Sequence, residues 1–379
     1  MKTIRKILAL VLVAVMCFTI TGCLHKKDEI AVTVGDVKFT SAYYMCALMM
    51  ADGEARNYVM QNLTEEEQET QEYDLYSKKV EDKDYIEWVE ARAIEILKEI
   101  AAYQLLCKDN KLELDPKSIE NVENAAYTAW NGSETSYYAP DYLYYIPNGV
   151  AYTTYVEFYK NALVSTFNSL YKERYFNYLY DKDGVNAISD DDVKNTIYEN
   201  FVIADVLDAT YETGATDEQK KELKTKLEAY AKDLQEGKKT FEQVYAEYNK
   251  QENHKHEETE DGPKDEHAAI FGTEATKYVF GTQVIDYNTA YYSKINSMKT
   301  GEAVVVDNTD GNGLVLFFKQ DIKADPYYLE NLDVNARHII ADEGFDKIIK
   351  DYIAKLKPEV SSYAIGQFDV DEIVYPTEE

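Results

Sequence analysis

The chain has 379 residues, 45% of them apolar and 29% charged, with a formal net charge of −30. That length suffices for two domains, and so acidic a chain is poorly made to neutralise phosphates, which argues against nucleic acid as a partner. The sequence carries no zinc-ligand spacing, no glycine-rich phosphate loop and no Ser-His-Asp signature. No cofactor is expected.

Lys2, Arg5 and Lys6 precede an apolar run from Ile7 to Ile20 broken only by Thr19. The run is short for a membrane span and has the form of an export signal. It closes on Ile20-Thr21-Gly22-Cys23, and a polar stretch follows. These four residues resemble the lipobox of bacterial lipoproteins. The resemblance implies cleavage after Gly22, a diacylglyceryl thioether on Cys23, and an anchor holding the chain at the extracytoplasmic face of the cell membrane. The alternative is an ordinary cleaved signal peptide. No later segment is apolar for long enough to cross a bilayer.

In the first half, Ile30 to Phe39 alternates around Gly35-Asp36, a two-residue hairpin signal. Thr40 or Ser41 can cap the helix that follows, with Tyr44, Met45, Leu48 and Met49 inward. Residues 52–82 read as a helix within acidic loops. Asp84 to Lys108 carries Val89, Ala93, Ile96, Leu97 and Ile100 at helical spacing. Asp115-Pro116 opens the next helix. Cys46 and Cys107 both fall on helices, either as an extracellular disulfide or as two buried apolar residues.

Tyrosine is over-used, 34 against two tryptophans. The run at Tyr137, Tyr138, Tyr142, Tyr144 and Tyr145 is either a binding surface or a replacement for phenylalanine at helix boundaries. Gly149 to Tyr180 is expected to be one long helical stretch. Ser189-Asp190-Asp191-Asp192 resembles a calcium cluster but reads better as a capping box.

The second half changes character. Phe201 to Leu207 is a strand. Leu223, Leu227, Tyr230, Ala231 and Leu234 mark one helix, Gly237 stops it, and Phe241, Val244, Tyr245 and Tyr248 mark a second. Glu252 to His267 is an acidic loop. Its His254, His256 and His267 are weak transition-metal candidates, with a solvated loop as the plainer reading. A helix is expected over Asn288 to Met298, a turn at Thr300-Gly301-Glu302, a strand at Val304–Val306, a hairpin turn at Asp310–Gly313 and a strand over Leu314–Phe318. A final helix carries Phe345, Ile348, Ile349, Tyr352, Ile353 and Leu356 as far as Pro358, and Ala364 to Tyr375 can form a strand. This tail is too short to bury its apolar stripe alone. It must return to the N-terminal helices, which makes the α+β part an insertion.

Order and spacing together carry a wider resemblance. Val32 to Thr40, the helix ending at Leu106 with Lys111–Glu120 after it, and the strand at Phe201 form its first part. The second part is Ala231-x-x-Leu234-x-x-Gly237-x-x-x-Phe241-x-x-x-Tyr245, then Met298–Glu302 and Gly313–Lys319. Together they resemble the SurA/PrsA family of extracytoplasmic foldases. The fold implied is α+β: a mostly helical N-terminal chaperone domain completed by a C-terminal helix and strand, with an inserted parvulin-like domain. The divisions expected are 1–22 (signal), 23–198, 199–325 and 326–379.

The function implied is a lipid-anchored foldase acting on unfolded or partly folded secreted polypeptides. Alternatives are an active peptidyl-prolyl isomerase or a surface solute- or metal-binding lipoprotein. Active parvulins place a histidine on the first strand and another on the last. Here Val206 or a neighbour, and Val315 or Leu316, stand at those positions, so weak or absent isomerase activity is expected and no catalytic residue is assigned. Phe271, Phe280, Tyr287, Phe317 and Phe318 either line a groove or fill a core.

Overall fold

The computed structural model describes residues 29–70, 72–132, 139–163, 170–250, 267–272, 289–324 and 326–376. The fold is α+β, and the chain divides into two compact units: 1–177 with 347–379, and 178–346.

In the first unit, β1 (Ile30–Val34) and β2 (Val37–Thr40) pair antiparallel around Gly35, whose φ is +62°. Thr40 accepts from the Tyr43 amide and so caps α1 (Ser41–Gln61). After the short α2 (Glu65–Thr70), β3 (Lys79–Val80) and β4 (Lys83–Asp84) lead into α3 (Tyr85–Asp109). The helix expected within 52–82 is thus mostly the continuation of α1. α1 and α3 share one apolar core, with Leu48, Val89, Leu97 and Ala101 fully buried. Cys46 and Cys107 are free and buried, and burial raises both thiols. Asp115 caps α4 (Pro116–Asn131), with Pro116 in its first turn.

Then come α5 (Tyr142–Tyr145) and α6 (Tyr152–Phe158). Within the long helical stretch expected over Gly149–Tyr180, α6 passes into a π-helical turn at Tyr159–Leu163, and residues 164–169 lie outside the described residues. The description resumes with α7 (Leu170–Tyr180), which carries the chain into the second unit.

The chain re-enters the first unit within a later helix and ends there. β9 (Pro358–Val360) pairs antiparallel with β1, proline taking the first strand position, where its missing N–H costs least. The strand expected at Ala364–Tyr375 is not one. Ser361 caps a helical turn at Ser362–Ile365, and a 3₁₀ turn follows at Val370–Glu372. Ala364, Val370 and Ile373 enter the core shared by α1 and α3. Polar contacts hold the tail as well. The Tyr375 hydroxyl donates to buried Asp52 (2.6 Å), as does Tyr85 (2.7 Å), and Arg56 pairs with the same carboxylate. Asn148 both donates to the Val374 carbonyl (2.8 Å) and accepts from its amide (2.9 Å).

In the second unit, Ser189 accepts from the Asp192 amide and caps α8 (Asp190–Asn200), the capping role expected of that acidic run. β5 (Phe201–Thr210) follows, then α9 (Asp217–Gln235) and α10 (Phe241–Tyr248). Both helices begin with complete capping boxes, Thr216 with Gln219 and Thr240 with Gln243. Gly237, at φ +66°, separates them.

β6 (Ala268–Gly272), α11 (Thr289–Ser297), β7 (Ala303–Asp307) and β8 (Gly313–Lys319) complete an antiparallel four-stranded sheet in the order β6-β5-β8-β7. β8 begins on a glycine because a Cβ there would stand 2.4 Å from the Ala209 carbonyl oxygen of β5. The short α12 (Pro326–Asn331) precedes α13 (Asp333–Ile353). On α13, buried Arg337 donates to the carbonyls of Tyr180 (3.0 Å) and Ile188 (3.1 Å) and pairs with Asp333.

Candidate functional site

Strand alternation gives the four-stranded sheet two faces. On one, Leu207 and Ala209 of β5 and Leu314 and Leu316 of β8 pack under Leu227, Leu234 and Val244 of α9 and α10. On the other, Val202 and Ala204 of β5, Phe271 of β6, and Val315 and Phe317 of β8 pack with Ile295 of α11 and with Met298, Val206 beside them. Among the described residues, the second face is only partly covered. It floors a cleft of about 650 Å³ that lies wholly within the second unit.

Aromatic contacts shape that floor. Phe271 meets Phe317 edge-on at 5.5 Å, and Tyr291 leans on Phe317 at 5.0 Å. The Tyr291 hydroxyl accepts from the Thr309 amide (2.9 Å) and so ties the β7–β8 turn to α11. At the other side, His267 lies 3.9 Å from the Tyr245 ring, and its carbonyl accepts from the Val206 amide (3.0 Å). Two exposed acids, Asp208 on β5 and Asp310 in the β7–β8 turn, also line the cleft. Partial burial pushes the Asp208 carboxyl above its ordinary value. The described lining contains no lysine or arginine.

Phe271 and Phe317 are brought together here, each no more than 2% exposed, so each is both core and floor. Phe280 and Tyr287 lie outside the described residues. Phe318 belongs to the opposite, helix-covered face. Val206 and Val315 both line the cleft, Val206 opposite Phe317 in the ladder and Val315 opposite Asp208. Leu316, the other candidate for the second position, points away from it. The cleft can hold apolar side chains, but these two positions offer no proton donor or acceptor.

His254 and His256 fall outside the described residues, and His267 packs on tyrosine. Among the described residues no group of three or more His, Cys, Asp or Glu could hold a metal ion. Cys23 also lies outside them, and among those described no helix is long and apolar enough to cross a membrane.

Tyr137 and Tyr138 are outside too. Of the remaining tyrosine candidates, all in the first unit, Tyr142 is exposed and Tyr144 half-buried. Tyr145 presents no surface: it is 8% exposed, its ring 4.9 Å from Tyr155. Asp208, Tyr291, Asn308 and Thr309 were not singled out from sequence, and Asp310 only as the start of a hairpin turn. Asp208 left one signal, a charge interrupting an apolar strand. Tyr291 left none, because one tyrosine among 34 is not distinctive.

No family model matches the chain, and no curated protein matches it. Among solved structures it is similar to the crystal structure of PrsA from Bacillus subtilis. The identity is 15%, over 73% of this chain and 91% of that one, and the TM-score is 0.30. The likeness is distant and carries no argument.

Proposed function

We propose that this protein is an extracytoplasmic foldase of the chaperone kind, whose second unit holds unfolded polypeptide in the cleft without isomerase chemistry. The observation that carries the reading is the open sheet face. Four strands in the order β6-β5-β8-β7 leave an aromatic-floored cleft of about 650 Å³. Val206 or a neighbour, and Val315 or Leu316, stand where the sequence resemblance leads one to expect histidines. Prolyl isomerisation needs an apolar pocket that desolvates the twisted imide and polar groups that favour its transition state. The cleft supplies the apolar part, and Val206 and Val315 in its lining carry no polar group, which supports a reading without isomerase chemistry. The tyrosine surface of the first unit, reduced to Tyr142 and Tyr144 among the described residues, would add a second contact for clients.

The remaining parts of the reading rest on sequence. Cys23 is the lipidation site, residues 1–22 are removed, and the mature chain is held at the membrane surface. Domains run 23–198, 199–325 and 326–379.

The test is aggregation of a reduced, unfolded secreted protein at stoichiometric chain, run beside a proline-peptide isomerisation assay. Suppressed aggregation is expected, with an isomerisation rate unchanged from the uncatalysed tens of seconds. No suppression at excess chain defeats the chaperone reading, and a rate enhancement defeats the claim that the chemistry is lost. For the anchor, Cys23→Ala should release the protein from the membrane fraction.

A further inference from the structure

We propose that the cleft on the open sheet face selects polypeptide segments in which an apolar or aromatic residue stands next to a lysine or arginine. This rests on the polypeptide-binding reading above and adds a specificity to it. The floor is apolar: Val206, Val315, Phe271 and Phe317 can accept one side chain of a client. The two charges in the lining are both negative, Asp208 on β5 and Asp310 in the β7–β8 turn, and no described cation offsets them there. A neighbouring client cation therefore gains attraction that a neutral residue lacks, and a client anion meets repulsion. The chain's net charge of −30 acts in the same direction at longer range.

The two acids sit on separate elements. Asp208 follows from the β5 alternation that also presents Val206. Asp310 belongs to the turn held by the Tyr291 hydroxyl through the Thr309 amide. Both carboxylates are exposed, so each contact is weak and screened by salt. An exposed pair of this kind is worth a factor of about two to five in affinity.

The experiment titrates the full chain with fluorescent peptides identical except beside one phenylalanine, which is flanked by lysine, glutamine or glutamate. Anisotropy is read at low and high sodium chloride. The expected order is lysine tightest and glutamate weakest, narrowing with salt. Asp208→Asn and Asp310→Asn should each reduce the lysine advantage about two- to five-fold and leave the glutamine peptide unchanged. Asp208→Lys, which sets a cation against the remaining Asp310, should abolish the lysine advantage. These are exposed positions, and circular dichroism reports whether each variant is folded. If all three peptides bind equally and Asp208→Lys changes nothing, the selection is refuted while the polypeptide site stands. If no peptide binds at either salt concentration, both readings fall.

Discussion

Two faces of one sheet make the instructive comparison in this molecule. Leu207, Leu314 and Leu316 are sealed beneath α9 and α10, whereas Val206, Val315 and Phe317, from the same two strands, floor a cleft. The strands treat both sides alike: each face is apolar, and each residue alternates with a neighbour on the other side. What differs is the cover. The helix pair stopped at Gly237 brings Leu227, Leu234, Phe241 and Val244 down onto one side. On the other, among the described residues, α11 supplies Ile295 and Tyr291 and leaves space beside them. Among the described residues, then, one face is a closed core and the other borders a cleft.

The sharpest way to break that contrast is a pair of truncations one ladder position apart. Leu316→Ala opens a void in a closed core and should cost about 2–5 kcal/mol of unfolding free energy. Val206→Ala removes less and borders a cleft that already exists, so it should cost under about 1 kcal/mol. Equilibrium urea unfolding of each variant reads both. Comparable losses would mean that the second face is as tightly packed as the first.

The next effect concerns how β5 and β8 come together beneath both faces. Gly313→Ala places a Cβ against the backbone of Ala209, where no flexible side chain can give way. A loss of about 1–3 kcal/mol is expected, the range for overpacking. Gly311, two residues earlier, has open space around it and matters for its φ of +68° alone, so Gly311→Ala should cost about 1 kcal/mol. If Gly313→Ala proves the milder of the two, the close approach of β5 and β8 is not what requires glycine.

How far this was legible in sequence follows the same line. The helix pair could be read because Leu227, Leu234, Phe241 and Val244 recur at helical spacing and Gly237 stops the first helix. The hairpin turns could be read from Gly35 and from Asp310–Gly313. The tail was read correctly in its need for a partner and wrongly in its form. The strand expected at Ala364–Tyr375 does not form: Ser361 caps a turn, and the edge of β1 is already filled by Pro358–Val360. The cleft was the least legible part. Floor and core share the same residue types, so Phe271 and Phe317 could be nominated but not separated from core. Tyr145 was nominated for a surface because it stands in a run of tyrosines, whereas its helix turns it onto Tyr155. The contacts that make the cleft, such as Tyr291 with Thr309, join residues whose pairing no local pattern encodes.

A smaller effect tests the cover itself. The Thr240 hydroxyl accepts from the Gln243 amide, and the Gln243 side chain accepts from the Thr240 amide (3.0 Å), which fixes the start of α10 over the closed face. Thr240→Ala should cost about 1 kcal/mol. Hydrogen exchange should rise in α10 and its contacts on β8 more than in α11. Uniform loosening of the two helices would mean that they are not independent covers of the sheet.

The smallest expected effect is a pH dependence at the open face. Burial lifts the Asp208 carboxyl above its ordinary value, so the folded chain holds that proton more tightly than the unfolded chain does. The resulting stabilisation is complete below the unfolded value of about 3.9 and is lost as pH rises through the folded one. At neutral pH the ionised carboxylate is therefore a slight burden on the fold. Because the side chain is largely exposed, water screens it, and Asp208→Asn should gain no more than a few tenths of a kcal/mol. The gain should disappear near pH 3, where wild type and variant carry the same charge. Unfolding curves at pH 7 and pH 3 measure the difference. A gain that persists in acid would come from packing and not from charge, and Asp208 would then belong with the floor of the cleft instead of its acidic lining.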